Sequence, residues 1–164
     1  MKKLFALGFV ALLVGTVSLA FAGKQDEAAK AIQVLKSSKD VAAKIQAAVD
    51  IGNIGQIKKS YAEPAIPYLL DGCKDKDARF RGAAAEALGK VDPPEDSKAV
   101  DLLTEMAKND KNTDVKVSAI KGLASMGRSA KSSLPALREI QSKEDKKSKL
   151  YNAARDATRA INTK

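Results

Sequence analysis

The sequence predicts an all-α protein, an α-solenoid of about four stacked helix pairs, and three observations carry that reading. First, Ile32, Ile66, Val100 and Leu134 are spaced by 34 residues, and Leu35, Leu69, Leu103 and Leu137 keep the same spacing. Each i, i+3 pair lies on one face of a helix, so these are the core stripes of the first helix in each of four repeats. Second, apolar and small residues at spacings of three, four and seven recur between those stripes, the period of an amphipathic helix rather than a strand. Third, glycine and proline clusters fall between the resulting segments.

The elements follow in order. The stripes and breaks predict helices over 24–37 and 40–51, 62–74 and 77–88, 96–109 and 113–126, then 132–142 and 146–162. They group into repeats over about 24–55, 60–91, 95–127 and 131–162. Gly52-Asn53-Ile54-Gly55 is expected to close the first pair, because glycine suits the left-handed position past a helix end. Ser60 and Glu63 form a candidate capping box, with Pro64 in the first turn behind it. Asp92-Pro93-Pro94 forces a non-helical connection between the second and third repeats. Gly89 and Gly127 read as caps following the second helices. Alanine at central positions, such as Ala84, Ala85 and Ala87, lets neighbouring helices approach closely.

The run from Asp77 to Val91 resembles the second helix of HEAT repeats, including the subgroup similar to phycobilisome lyase repeats. Lys44 and Lys116 stand where Arg81 stands in that pattern. The resemblance implies an acid before the second helix that pairs with the basic residue in a ladder across repeats. Asp75, Asp110 and Asp145 occupy that position, with Arg81 and Lys116 as partners by analogy. The pattern departs at both ends, where Ser38 replaces the acid and Tyr151 replaces the base; end repeats cap a stack and are commonly atypical. No lyase residue carries over.

Ahead of the repeats stands a leader. Lys2 and Lys3 form a basic region, no charge occurs from Leu4 to Phe21, and Ala20-Phe21-Ala22 is a small-x-small cleavage signal. Residues 1–22 are therefore expected to be a signal peptide cleaved after Ala22, with residues 23–164 as the repeat domain, periplasmic or secreted; the rival reading is an uncleaved membrane anchor, since the 18-residue apolar stretch sits at the lower limit for a span. Removing the leader from the 164-residue chain takes away two lysines and no acid. That leaves 27 basic and 20 acidic side chains, a net charge of +7 instead of +9. No membrane span is then expected, and a monomer is the simplest state.

Composition narrows the chemistry. The chain has no His and no Trp, which removes the commonest general base and metal ligand. The one cysteine, Cys73, cannot form an internal disulfide and falls at an apolar helix position, where it reads as a small buried hydrophobe. Lys131 beside Ser132 and Ser133 reads as a helix-start cluster rather than a Ser-Lys pair. Asp92 to Asp96 has too few oxygen ligands for calcium. No catalytic residue, metal or cofactor is expected. Function is then a non-catalytic protein-interaction scaffold for an unidentified protein or peptide, an acidic one being the match by charge, with Arg79, Lys90, Lys121 and Lys149 as the candidate binding residues. In HEAT-like stacks the second helices usually line the concave surface. The alternative is a charge-driven binder of an anionic cell-envelope polymer. Nucleic acid is not expected, since few aromatics are present for base stacking.

Overall fold

A computed structural model of the chain describes residues 23–95 and 98–163; the expected signal peptide, residues 1–22, falls outside them, as do Asp96, Ser97 and Lys164. The described residues form α1 (23–37), α2 (Val41–Ile57), α3 (Lys59–Ala62), α4 (Ile66–Gly72), α5 (Ala78–Val91), α6 (Ala99–Asn109), α7 (Thr113–Met126), α8 (Leu134–Lys143) and α9 (Lys149–Thr163). The first helices of the four repeats are α1, α3 with α4, α6 and α8. The second helices are α2, α5, α7 and α9. The architecture is an α-solenoid of four helix pairs.

The two predicted stripes divide the work of burial. Leu69, Leu103 and Leu137 are fully buried and Leu35 nearly so, while Ile32, Ile66, Val100 and Leu134 pack half-buried against the same core. Each buried Leu contributes about 1.5–3 kcal/mol by leaving water. Aliphatic side chains and alanines make almost all of this core; Phe80 is its one buried aromatic among the described residues.

Second helices begin alike. Asp40, Asp77 and Asn112 are N-caps whose side-chain oxygens accept from the backbone N–H two residues on, at 2.9 Å for Ala42, Arg79 and Asp114. Ser148 Oγ accepts from Tyr151 N at 3.0 Å in the fourth repeat. Short polar side chains satisfy helix-start donors that have no intrahelical partner.

Three expectations are corrected. Gly52 and Gly55 do not end the first pair: α2 runs through them to Ile57, and both are buried. A Cβ on Gly52 would lie 3.1 Å from Ala87 Cα, and one on Gly55 would lie 3.0 Å from a Val91 methyl, so these glycines admit α5. Gly89 is likewise inside α5, which ends at Val91 with Asp92 as its left-handed cap (φ 52°). Ser60 does not cap: it sits within α3, whose N-cap Lys58 makes no side-chain capping bond. The chain turns helical earlier than the predicted start at residue 62, then passes through a 3-10 turn at Glu63–Ala65 before α4. Pro64 and Pro67 each lack the N–H that an uninterrupted helix would use there. Gly127 does occupy the predicted cap, at φ 56°.

The second helices pack on one another in an unbroken row, α2 on α5, α5 on α7, and α7 on α9, whereas α6 and α8 touch little. The second helices thus form one continuous layer of the stack.

Cys73 is buried, and desolvation pushes its thiol up to about 12, against a smaller opposing effect of the Lys74 charge. The thiolate is the reactive form. In the native protein a disulfide reagent at neutral pH is expected to label Cys73 only at the rate at which the stack opens, and denaturant should make labelling immediate; fast native labelling would show the α4 end to be open.

Candidate functional site

Three surfaces stand out among the described residues: the turn edge, the face of the second helices and a hollow on the first repeat. The edge holds the turns between first and second helices. There the ladder residues meet. Arg81, 8% exposed at its side chain, lays Nε and one Nη on the two oxygens of Asp110 at 2.9 and 3.0 Å. Its other Nη donates to the carbonyls of Asp75 and Lys76 at 2.9 and 3.1 Å. One repeat earlier, Lys44 Nζ contacts Asp75 at 2.8 Å and stands 4.2 Å from the centre of the Phe80 ring. The rule of the ladder is thus that each base reaches the acid of the following repeat. Among the described residues Lys116 makes no ion pair with Asp145. Asp145 instead accepts from Lys147 N at 2.7 Å, and Lys116 lies half-buried in a groove of about 340 Å³ with Lys108, Glu139 and Glu144.

The ladder acids carry depressed pKa values. For Asp75, hydrogen bonds from Lys44 and from the Asp77 backbone hold the carboxyl below its ordinary range. For Asp110, burial pushes upward, but the Arg81 bonds, the Asn112 N–H and the positive charge of Arg81 outweigh it. A carboxyl whose folded pKa is lowered lends stability that is fully present above its unfolded pKa, near 4, and lost as pH falls through the folded value. The melting temperature is therefore expected to hold from neutrality to about pH 5 and to fall below about pH 4. Asp110→Asn should shallow that acid decline; an unchanged acid limb in that variant would count against the role of the pair.

The four candidate binding residues are spread along the row of second helices, and each has a local partner. Arg79 pairs with its own N-cap Asp77 at 2.8 Å and holds that carboxyl down at about 2. Lys90 reaches Asn53 at 3.1 Å, Lys121 reaches Glu86 at 3.6 Å and Lys149 reaches Asp114 at 3.8 Å. Glu86 also accepts from Ser118 at 2.8 Å. The face is thus a lattice of mixed charge, with a basic residue on each helix meeting a polar or acidic group on the helix before it. Sequence reasoning missed Asn53, Glu86 and Asp114. The signal was present: each stands at the position equivalent to its partner, 37, 35 and 35 residues earlier, the offsets that relate Lys44, Arg81, Lys116 and Tyr151. Between α5 and α7 the lattice leaves a shallow groove of about 160 Å³, floored by Ala78, Gly82, Ala83, Val115 and Ser118.

The third surface lies on the first repeat, where a hollow of about 450 Å³ runs between α1 and α2 over Ala31, Val34, Ala43 and Ala47. No helix of the described residues is long and apolar enough to cross a membrane.

A stack of helix pairs, with a continuous layer of second helices and a base–acid ladder at the turns, defines the class of α-solenoid repeat proteins. A family model of HEAT repeats matches residues 28–124, and the chain belongs to that family. No curated protein matches the chain. HEAT repeats generally mediate protein–protein interaction as scaffolds and are typically non-catalytic.

Proposed function

We propose that this protein is a non-catalytic scaffold whose concave face receives a segment of a partner protein. The observation that carries the reading is the groove between α5 and α7. Its floor is small and partly apolar; Arg79 and Asp114 line it, Lys149 reaches Asp114, and Lys121 reaches Glu86, which accepts from the lining Ser118. A narrow floor admits small or extended side chains, and the charge lattice gives them register. Since each base already has a polar neighbour, a partner gains by exchanging hydrogen bonds in a fixed pattern rather than by neutralising a bare positive field. Electrostatic complementarity of that kind confers specificity more than raw affinity. Repeat surfaces suit this role because curvature extends the contact over several units.

The reading includes export. The basic start at Lys2-Lys3, the uncharged run Leu4–Phe21 and the Ala20-Phe21-Ala22 motif support a signal peptide removed after Ala22, which would deliver the domain to the periplasm or outside the cell. Sequencing the N-terminus of the protein recovered from its host tests this: Gly23 is expected, and Met1 would refute it.

Affinity capture tests the groove. The protein is immobilised and exposed to envelope and secreted extract, then washed at low and at high salt, alongside the double variant Ala83→Arg, Ser118→Arg. A protein retained by the wild type at high salt and lost by the variant is expected. Equal retention by both would move the binding surface away from the groove, and retention of only salt-labile material would refute a packed contact.

A further inference from the structure

The turn edge carries a feature that neither the ladder nor the groove uses. In each repeat the residue after the ladder acid position is a lysine: Lys39, Lys76, Lys111 and Lys146. Their offsets of 37, 35 and 35 residues are those of the ladder bases, so the four are structurally equivalent. All four are exposed at the tips of turns, and none makes an ion pair among the described residues.

The turn itself explains why they point outward. The side chain before each lysine accepts from the backbone N–H two residues on: Ser38 from Asp40 at 3.1 Å, Asp75 from Asp77 at 2.9 Å, Asp110 from Asn112 at 2.9 Å and Asp145 from Lys147 at 2.7 Å. This closes a tight turn with the lysine at its apex. In two of the turns the same carboxylate is gripped by the base of the preceding repeat, so neighbouring apices are tied together through the protein. The acids of the first three turns are thereby committed: Asp40 and Asp77 cap helices, and Asp75 and Asp110 hold the ladder. Each of those turns presents a cation outward and holds its negative charge against the protein. Packed helices lie about 8–10 Å apart, so the four ammonium groups form a single file roughly 30 Å long.

We propose that this edge binds a linear polyanion, a chain bearing a regular series of phosphate, sulfate or carboxylate groups, laid along the lysine row. A single file of charge matches a line of anions, whereas an anionic bilayer is matched by a broad basic face. Recognition is by charge alone, because flexible lysine stems on turn tips offer no pocket for a side group. The lysine row runs beside the groove, whose lining includes Asn112, the residue after Lys111, but the lysines themselves do not line it.

The probe is inorganic polyphosphate, titrated against the protein over a range of salt, with phosphatidylglycerol vesicles as a second ligand. The test variant is Lys39→Gln, Lys76→Gln, Lys111→Gln, Lys146→Gln. The control is Lys58→Gln, Lys98→Gln, Arg128→Gln, Lys131→Gln, which removes the same charge from the turns of the opposite edge. Each polyanion contact adds about 0.7–0.9 to the slope of log affinity against log salt, so the tip variant should lose about 3 from that slope. Between about 50 and about 200 mM salt, wild-type affinity should then fall about 50-fold more than the variant's. The control should keep the wild-type slope, and both variants should melt with the wild type, since the exchanged side chains are exposed. Equal losses in the two variants would reduce the effect to net charge and overturn the proposal. An unchanged tip variant, or binding to vesicles without binding to polyphosphate, would overturn it as well.

Discussion

Gly89→Ala is expected to destabilise the protein by about 3 kcal/mol or more, the upper end of overpacking costs. A Cβ at Gly89 would stand 2.2 Å from the carbonyl oxygen of Gly122 and 2.3 Å from its Cα. Those are backbone atoms, so no rotamer change relieves the overlap, and α5 and α7 must move apart along their whole contact. A Cβ on Gly122 meets the same obstacle from the other side, 2.5 Å from the Ala85 carbonyl oxygen. Alanine's better helix propensity returns only about 1 kcal/mol. For a domain of this size the melting temperature should fall by roughly 10 °C. Gly82→Ala is the control in the same helix. Its Cβ would meet only the Ser118 side chain, at 3.2 Å from the hydroxyl, and that group can rotate. Propensity and crowding then nearly cancel. A Gly89→Ala protein that melts with the wild type would mean that the two helices do not approach as described.

Arg81→Ala is expected to cost about 3–5 kcal/mol in urea unfolding, the range for removing one partner of a buried ion pair. The loss has two parts. Asp110, 10% exposed at its side chain, keeps its charge without the guanidinium fork, and the carbonyls of Asp75 and Lys76 lose their donor. Arg81→Lys should recover a fraction, because an ammonium supplies charge but not the two parallel bonds. Adding Asp110→Asn to Arg81→Ala should cost much less than the two single changes together, since no buried charge is then left unpaired. Strict additivity would show that the pair is not coupled.

The two predictions differ in how far the sequence foretold them. Arg81, Asp75 and Asp110 were legible, because an acid and a base at a fixed place in every repeat form a pattern. The direction of pairing was not, since a base could meet the acid of its own turn or of the next. Only the rise from one helix pair to the following one decides that. The glycines were read as punctuation. A glycine that ends a helix and one that lets a second helix approach leave the same local trace, and the difference lies in a residue some 33 positions away, as with Gly89 and Gly122.

Of the candidate binding residues, Arg79, Lys90, Lys121 and Lys149 could be placed on second helices from periodicity, but the acids and amides that meet them belong to other repeats. A count of charges shows a surplus and cannot show where it is unpaired. The structure shows the bases of the second helices partnered, and the turn lysines Lys76 and Lys111 standing out beside carboxylates that ladder bases hold, with Lys39 and Lys146 at the equivalent positions.

What the sequence by itself determined is the repeat: four helix pairs, the stripe that each first helix buries, and the turns between them. Those depend on residues within one helical turn of each other, and fourfold repetition makes so short a signal unambiguous. What only the tertiary structure decided is which small residue marks a close approach, which charge is matched and which is left facing water. Those depend on distances between helices that are far apart along the chain, and only the packed stack brings them together.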